Sequence, residues 1–189
     1  MTIREIVKSP NDILTKKTKK IVKFDRNLAN LLDDMYETML ENDGIGIAAP
    51  QVGESVRVAI VDLGEGEEPI ELVNPEVLQT EGSVIEIEGC LSFPELFGEV
   101  ERPFYVRVKA QERNGDWYEL EAEDYEARAI LHEIDHLDGI LFDSKKINRK
   151  SGSAGIPRPW HHLVCRLLLE KKTRMPGSGP IWAGQRWTR

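Results

Sequence analysis

The chain has 189 residues, of which 40% are hydrophobic and 31% charged, and its formal net charge is −8. This length suits one globular domain with a sizeable core, and no apolar run is long enough to cross a membrane. The two cysteines are too few for a disulfide framework, and the first residues include no apolar signal segment. We therefore expect a cytoplasmic protein.

Charge is distributed unevenly along the sequence. From Lys150 onward, eight Lys or Arg residues accompany one acid, Glu170, whereas residues 1–149 carry 17 bases and 32 acids, a net charge of −15. The composition changes so abruptly that we predict a folded domain over residues 1–149 and a basic C-terminal tail over residues 150–189. The tail opens with a linker-like run rich in Gly, Ser and Pro, and we expect it to be poorly ordered.

The N-terminal part of the sequence predicts an arm followed by a helix. Residues 1–23 predict an irregular arm with a turn at residues 9–12. The helix runs from about Arg26 to Asn42, with Asp25 as its cap and Gly44 as its terminator. Its apolar residues recur with the period of one helical face. They are Leu28, Leu31, Leu32, Met35, Met39 and Leu40.

Strands dominate the middle of the sequence. They are predicted at about residues 56–62, 70–73, 83–87, 105–110 and 117–121, and Asn114-Gly115 is typical of the turn of a hairpin. A second helix is predicted from about Tyr125 to Leu137. Because helices flank the strands without βαβ alternation, we predict an α+β fold. In it, antiparallel or mixed sheets surround the second helix, and the first helix is N-terminal.

The second predicted helix contains the segment HEIDH at residues 132–136. Residues four apart lie on the same helical face, so His132 and His136 can bind one metal ion, while Glu133 can contact a water on it. A solvated polar face is the alternative. It is disfavoured because apolar neighbours predict a largely buried helix, in which ionisable groups need partners. We therefore predict a metal site.

A catalytic metal of this type takes three protein ligands and keeps one position open. Cys90, in the segment EGCLS at residues 88–92, is a candidate third ligand because a thiolate suits zinc or iron. A buried core cysteine explains this segment about equally well. A third segment, GIGIAAPQ at residues 44–51, by itself predicts only a tight turn between a helix and a strand.

Taken together, GIGIAAPQ, EGCLS and HEIDH resemble the three signature motifs of bacterial peptide deformylases in order and spacing. The resemblance covers roughly residues 1–148. It implies a metal-dependent hydrolase that removes the formyl group from the formyl-methionine of newly synthesised polypeptides and releases formate. It further implies Fe(2+) as the cellular metal, one per chain, with Zn(2+), Ni(2+) or Co(2+) as substitutes.

The resemblance also implies roles for individual residues, and a first group of these lies at the metal. Cys90, His132 and His136 match its three ligands, and Glu133 matches the general acid/base. This agrees with general chemistry, since a bound cation lowers the pKa of its water and a carboxylate can carry that proton to the departing amine.

A second group of residues matches positions around the substrate. Gln51 and the backbone N–H of Leu91 match the groups that polarise the formyl oxygen, and Gly46 matches a backbone position in the substrate cleft. Glu88 and Arg102 match a carboxylate–guanidinium pair that supports the loop of Cys90. We also expect four apolar residues to line a pocket for the methionine side chain: Ile45, Ile87, Tyr125 and Ala129.

Three other functions fit the sequence less well. An HExxH metalloprotease usually has a third His or Glu ligand downstream, and neither residue type occurs between His136 and His161. A catalytically silent metal-binding or ribosome-binding module would not need both Glu133 and Gln51. A nucleic-acid binder that acts through its tail would carry a strongly acidic domain that repels phosphate.

The tail matches none of these motifs. Its basic and aromatic residues are suited to contact with ribosomal RNA, but a solvated extension explains them equally well. His161, His162 and Cys165 could bind a metal, although such a cluster in a basic tail is more often incidental.

Overall fold

The computed structural model describes residues 2–64 and 68–147. The predictions of a basic tail over residues 150–189, and of its poor order, therefore concern residues outside the described part of the chain. Three α-helices are described: α1 (Arg26–Glu41), α2 (Asp124–Leu137) and the short α3 (Phe142–Lys145). Two 3-10 turns occupy Asp12–Thr15 and Ala49–Val52. None of the described helices is long and apolar enough to span a bilayer.

The described strands form two antiparallel sheets. The larger sheet has the order β1-β2-β3-β6-β7, and the smaller one consists of β4 and β5. Their bounds are β1 Gly46–Ala48, β2 Val58–Val61, β3 Ile70–Glu81, β4 Val84–Cys90, β5 Phe93–Arg102, β6 Tyr105–Gln111 and β7 Trp117–Glu123. The predicted α+β fold, with antiparallel sheets around the helix that carries HEIDH, is confirmed.

The larger sheet separates two hydrophobic layers. Along β2, Val58 and Ile60 pack into the layer that contains α1, whereas Ala59 and Val61 pack into the layer that contains α2. All four side chains are buried, so β2 is a continuous apolar run without alternation. The helix that carries HEIDH is therefore packed against one face of the sheet, and α1 is packed against the other.

The helix α1 forms for the reasons that its sequence indicates. The Asp25 side chain accepts hydrogen bonds from the backbone N–H groups of Asn27 and Leu28, which satisfies two donors of the first turn. The helix ends at Glu41, one residue before the predicted Asn42. The expected apolar face is mostly buried, but Leu40 is 48% exposed and does not belong to it.

The strands β1 and β5 were not predicted, and β3 is longer than predicted. The sequence of β5, FPELFGEVER, contains Pro, Gly and four acids or bases, so its alternation is obscured. In β3, Asn74-Pro75 suggests a break, but the strand continues beyond it. Asn74 takes a positive φ of 52° there and the register with β6 shifts between Val73 and Glu76, which absorbs the irregularity.

Candidate metal centre

The three predicted metal ligands come together where β4 ends beside α2. His132 and His136 lie one turn apart on α2, with ring centroids 5.0 Å apart. Cys90 is the last residue of β4, and its Sγ lies 3.1 Å from His136 Nε2. The three ligand atoms all lie within 4.8 Å of one another. No other group of three or more His, Cys, Asp or Glu side chains in the described chain is arranged in this way.

The donor chemistry and the surroundings of these residues fit a divalent cation. Two imidazoles and a thiolate suit zinc or iron, at bond lengths of about 2.0–2.3 Å. His132 Nδ1 lies 3.0 Å from a Glu88 carboxylate oxygen, which leaves Nε2 as its ligand atom. Histidines that bind metals commonly make such a bond with their second nitrogen. Burial lowers the pKa of His136 well below its usual value, and the neighbouring His132 adds to this effect.

Glu88 connects the small sheet to α2 through a buried ionic network. Arg102 donates to its carboxylate from Nε at 2.5 Å and from Nη2 at 2.9 Å, so the expected pair is present. Arg128 donates to the same carboxylate at 2.6 Å, which the sequence did not indicate. Burial opposes the charge on Glu88, but the hydrogen bonds to His132 and Arg102 outweigh it and hold the pKa of that carboxyl well below its usual range.

Glu133 is buried beside the predicted metal ligands without a complete set of hydrogen bonds. The side chain is 4% exposed, and its Oε2 has no hydrogen-bond partner among the described residues. Burial raises the pKa of Glu133 to about 7. Its Oε1 lies so close to the Cα of Gly46 that a Cβ at that position would clash with it. The carboxylate therefore faces the strand β1, in a protonation range suited to proton transfer near neutral pH.

Gln51 is held with its amide nitrogen toward the loop of Cys90. Its Oε1 accepts a hydrogen bond of 2.8 Å from the backbone N–H of Ala48. Its Nε2 then lies 3.3 Å from Ser92 Oγ and 3.6 Å from Cys90 Sγ. The side chain is only 1% exposed, so this orientation is fixed by packing as well as by hydrogen bonds.

A cavity of about 290 Å³ gives access to these groups. Every residue predicted for the site lines it except His136 and the supporting Arg102, which are both buried. The lining includes Ile45, Gly46, Gln51, Ile87, Cys90, Leu91, Tyr125, Ala129, His132 and Glu133.

Sequence reasoning missed the contribution of β5 to this cavity. Phe93, Pro94 and Phe97 line it as well. A Cβ on Gly89 would lie 2.7 Å from the Phe97 ring, so the glycine of EGCLS allows this aromatic side chain to pack over β4. Only the recognition of β5 as a strand could have indicated these residues.

Comparison with known proteins was consistent with this arrangement. Residues 3–151 match the Polypeptide deformylase family. The peptide deformylase of Caldicellulosiruptor bescii is 57% identical over 147 residues, which are 78% of this chain and 87% of the relative. The solved peptide deformylase of Thermotoga maritima is 41% identical with a TM-score of 0.76, covering 78% of this chain and 100% of that one.

A further solved structure is a class I type b peptide deformylase from Acinetobacter baumannii with Met-Ala-Ser bound. It is 36% identical with a TM-score of 0.73, over 76% of this chain and 98% of that one. The residues that match the family, 3–151, include all three sequence motifs and every residue that lines the cavity. The chain therefore belongs to the polypeptide deformylase family, and it is a hydrolase that removes the N-terminal formyl group from new polypeptides.

Proposed function

We propose that Cys90, His132 and His136 hold the catalytic metal and that Glu133 moves the proton during deformylation. The observation that carries this proposal is the meeting of three ligand atoms within 4.8 Å, beside a buried carboxylate that lines the same cavity. The reaction consumes one water, breaks the amide bond of the formyl group, and yields formate and a free α-amino group.

The metal is proposed to be Fe(2+), with Zn(2+), Ni(2+) or Co(2+) as substitutes. A thiolate with two imidazoles suits each of these four ions. The donor set therefore supports a metal of this group and does not distinguish between its members. When bound, such a cation lowers the pKa of a water and supplies a nucleophile at neutral pH.

Glu133 is proposed as the general base and then the general acid. Its raised pKa of about 7 allows it to accept a proton from the attacking water and to return that proton to the departing amine. The unpartnered Oε2 is available for the first step, because no side chain or backbone group of the described residues occupies it.

Gln51 and the backbone N–H of Leu91 are proposed to bind the formyl oxygen. Negative charge develops on this oxygen as the formyl carbon becomes tetrahedral, and fixed donors stabilise it. Gln51 Nε2 is directed toward the loop that contains Leu91, and both residues line the cavity. One donor of this kind contributes about 2.7–4 kcal/mol.

The apolar part of the cavity is proposed to bind the methionine side chain. Ile45, Ile87, Tyr125 and Ala129 line it, as do Gly46 and Glu133. The Met-Ala-Ser ligand of the Acinetobacter baumannii relative supports a peptide with N-terminal methionine as the product bound here. A formyl carbon carries only hydrogen beyond its carbonyl, so the site beside Glu133 is proposed to accept a formyl group and to exclude larger acyl groups.

We also propose that residues 1–149 form the catalytic domain and that the protein works in the cytoplasm on nascent chains. The basic residues 150–189 would then be available for contact with the ribosome or would form a solvated extension. The acidic charge of residues 1–149 supports a function of the tail separate from the active site.

The test is an assay of oxygen-free purified protein with its metal content measured. We expect about one metal per chain and release of formate from formyl-Met-Ala-Ser but not of acetate from acetyl-Met-Ala-Ser. Cleavage of internal peptide bonds, or deformylation that does not depend on the metal, would contradict the proposal.

A further inference from the structure

The N-terminal arm makes two backbone hydrogen bonds to the segments around the active site. The N–H of Val7 donates to the carbonyl oxygen of Gln51 at 2.8 Å. Two residues later, the N–H of Ser9 donates to the carbonyl oxygen of Ser92 at 3.0 Å. Gln51 follows β1 of the larger sheet, whereas Ser92 follows β4 of the smaller one. The arm therefore connects the 3-10 turn that follows β1 of the larger sheet with the turn between β4 and β5 of the smaller one.

Lys8 lies between these two residues and makes the third contact. Its Nζ donates a hydrogen bond of 2.7 Å to the carbonyl oxygen of Leu91. Lys8 also lines the cavity. The side chain therefore contacts the residue whose N–H is assigned to the formyl oxygen, from a position that is itself exposed to solvent.

The arm is anchored on both sides of these contacts. Ile6 is 7% exposed and packs into the hydrophobic layer of α1, and Leu14 is fully buried. Both apolar side chains are removed from water, so each anchor resists sliding of the arm. The two backbone hydrogen bonds and the Lys8 side-chain hydrogen bond are consequently made from a segment that is anchored at both ends.

We propose that residues 7–9 act as a clamp that sets the distance between the Gln51 amide and the Leu91 N–H, with Lys8 as a positioning residue. This inference rests on the proposed function, in which these two donors bind the formyl oxygen. The clamp acts where the sheets are not paired by strands, because β1 and β4 belong to separate sheets of the described chain. A shift of either donor weakens a bond that is made in the transition state and leaves the binding of the methionine side chain unchanged.

The test compares three variants of the full-length metal-loaded enzyme. Lys8→Met removes the donor and keeps an unbranched side chain, whereas Lys8→Arg keeps a donor. Lys20→Met is the matched control, since its Nζ makes a 2.6 Å ion pair with Glu76 away from the cavity. We expect Lys8→Met to lower kcat and kcat/KM equally, by about three- to tenfold, with unchanged KM, metal content and melting temperature. Lys8→Arg should restore most of kcat, and Lys20→Met should match the wild type.

Several results would overturn the clamp. An unchanged kcat in Lys8→Met, a rise in KM alone, or a loss of metal would each mean that Lys8 does not position the donors. Failure of Lys8→Arg to restore the rate would do the same. Gln51→Ala in the same assay separates this outcome from failure of the proposed function. If Gln51→Ala is slow and Lys8→Met is normal, only the clamp is wrong, whereas a normal Gln51→Ala removes the donor assignment and the clamp with it.

Discussion

The carboxylate of Glu133 occupies the space that a Cβ on Gly46 would fill. Residue 46 belongs to β1 and residue 133 to α2, so the strand and the helix approach each other through a glycine at the reacting group. A glycine is therefore required at position 46 of the first motif, because it leaves room for Glu133, the general base proposed in the third motif.

The variant Gly46→Ala tests this relationship. The methyl group should displace the carboxylate, and because misplacement by about 1 Å costs about 10²-fold, we expect kcat to fall by about 10- to 100-fold with metal retained. Gly53→Ala is the control, since its φ of 84° strains an alanine but no atom lies within 4 Å of the added Cβ. Gly53→Ala should lose stability and keep its rate. Equal rates in the two variants would show that Glu133 is not constrained by Gly46.

A second prediction concerns the charge of Glu133. Glu133→Gln keeps the shape of the side chain but cannot accept a proton, so turnover should fall by about 10²–10⁴-fold while the metal stays bound. Metal analysis and steady-state kinetics on one preparation check both parts. Glu119→Gln on β7, outside the cavity, should behave as the wild type. Near-normal turnover of a metal-loaded Glu133→Gln would remove this residue from the mechanism.

Cys90 is predicted to determine both the affinity for metal and the sensitivity to oxygen. Cys90→Ser replaces a soft thiolate with a hydroxyl and should bind metal much more weakly, whereas Cys165→Ser should change little. In the wild type with iron, peroxide should inactivate the enzyme through the metal or the sulfur, and nickel or cobalt should slow that loss. Should Cys165→Ser be the variant that loses metal, the coordination proposed here would be wrong.

Glu88 is predicted to support the metal through His132. Glu88→Gln removes the carboxylate that Arg102 and Arg128 share, while Arg102 keeps its 2.7 Å hydrogen bond to Asp135. We therefore expect a loss of about 1–3 kcal/mol in unfolding free energy, less than for a buried charge with no partner left. Metal affinity should also fall by about 10- to 100-fold, as is usual when a ligating histidine loses the hydrogen-bond partner of its second nitrogen. Glu86→Gln on the same strand is a suitable control, because Glu86 is 29% exposed and 3.7 Å from Arg128. Chemical denaturation and metal titration give the two quantities, and similar values for both variants would contradict the prediction.

A chain that ends at residue 149 should fold and deformylate a short formyl peptide, because every proposed catalytic group lies between residues 44 and 136. Circular dichroism and formate release check this. Co-sedimentation of both chain lengths with ribosomes at low and high salt tests the tail. Salt-sensitive binding that disappears on truncation would support a docking role, and equal binding would exclude it. A truncated chain that is folded but inactive would mean that the catalytic domain extends beyond residue 149.

The meeting of His132 and His136 on one face of α2 could be predicted because helical spacing is a local property. His132 and His136 are four residues apart, and any helix brings them to one face. The cap at Asp25 and the hairpin turn at Asn114-Gly115 are equally local, and both are present.

Contacts between segments that are distant in the sequence have no comparable sequence pattern from which to predict them. Arg128 reaches Glu88 across 40 residues, and Lys8 reaches Leu91 across 83. Neither pair has a spacing that indicates contact. The same limit explains the missed Phe97, whose place above Gly89 depends on the pairing of β4 with β5.

The origin of the three proposed ligands has a consequence for how the protein should respond to its metal supply. Cys90 belongs to the small sheet, while the histidines belong to a helix packed on the large one. An ion shared between them is a crosslink whose strength depends on the free ion concentration, since a ligand that binds only the folded form stabilises it by mass action. Scarcity of metal should therefore weaken the hold of the β4–β5 hairpin on α2, leaving contacts such as those of Glu88 with Arg128 and His132 to connect them.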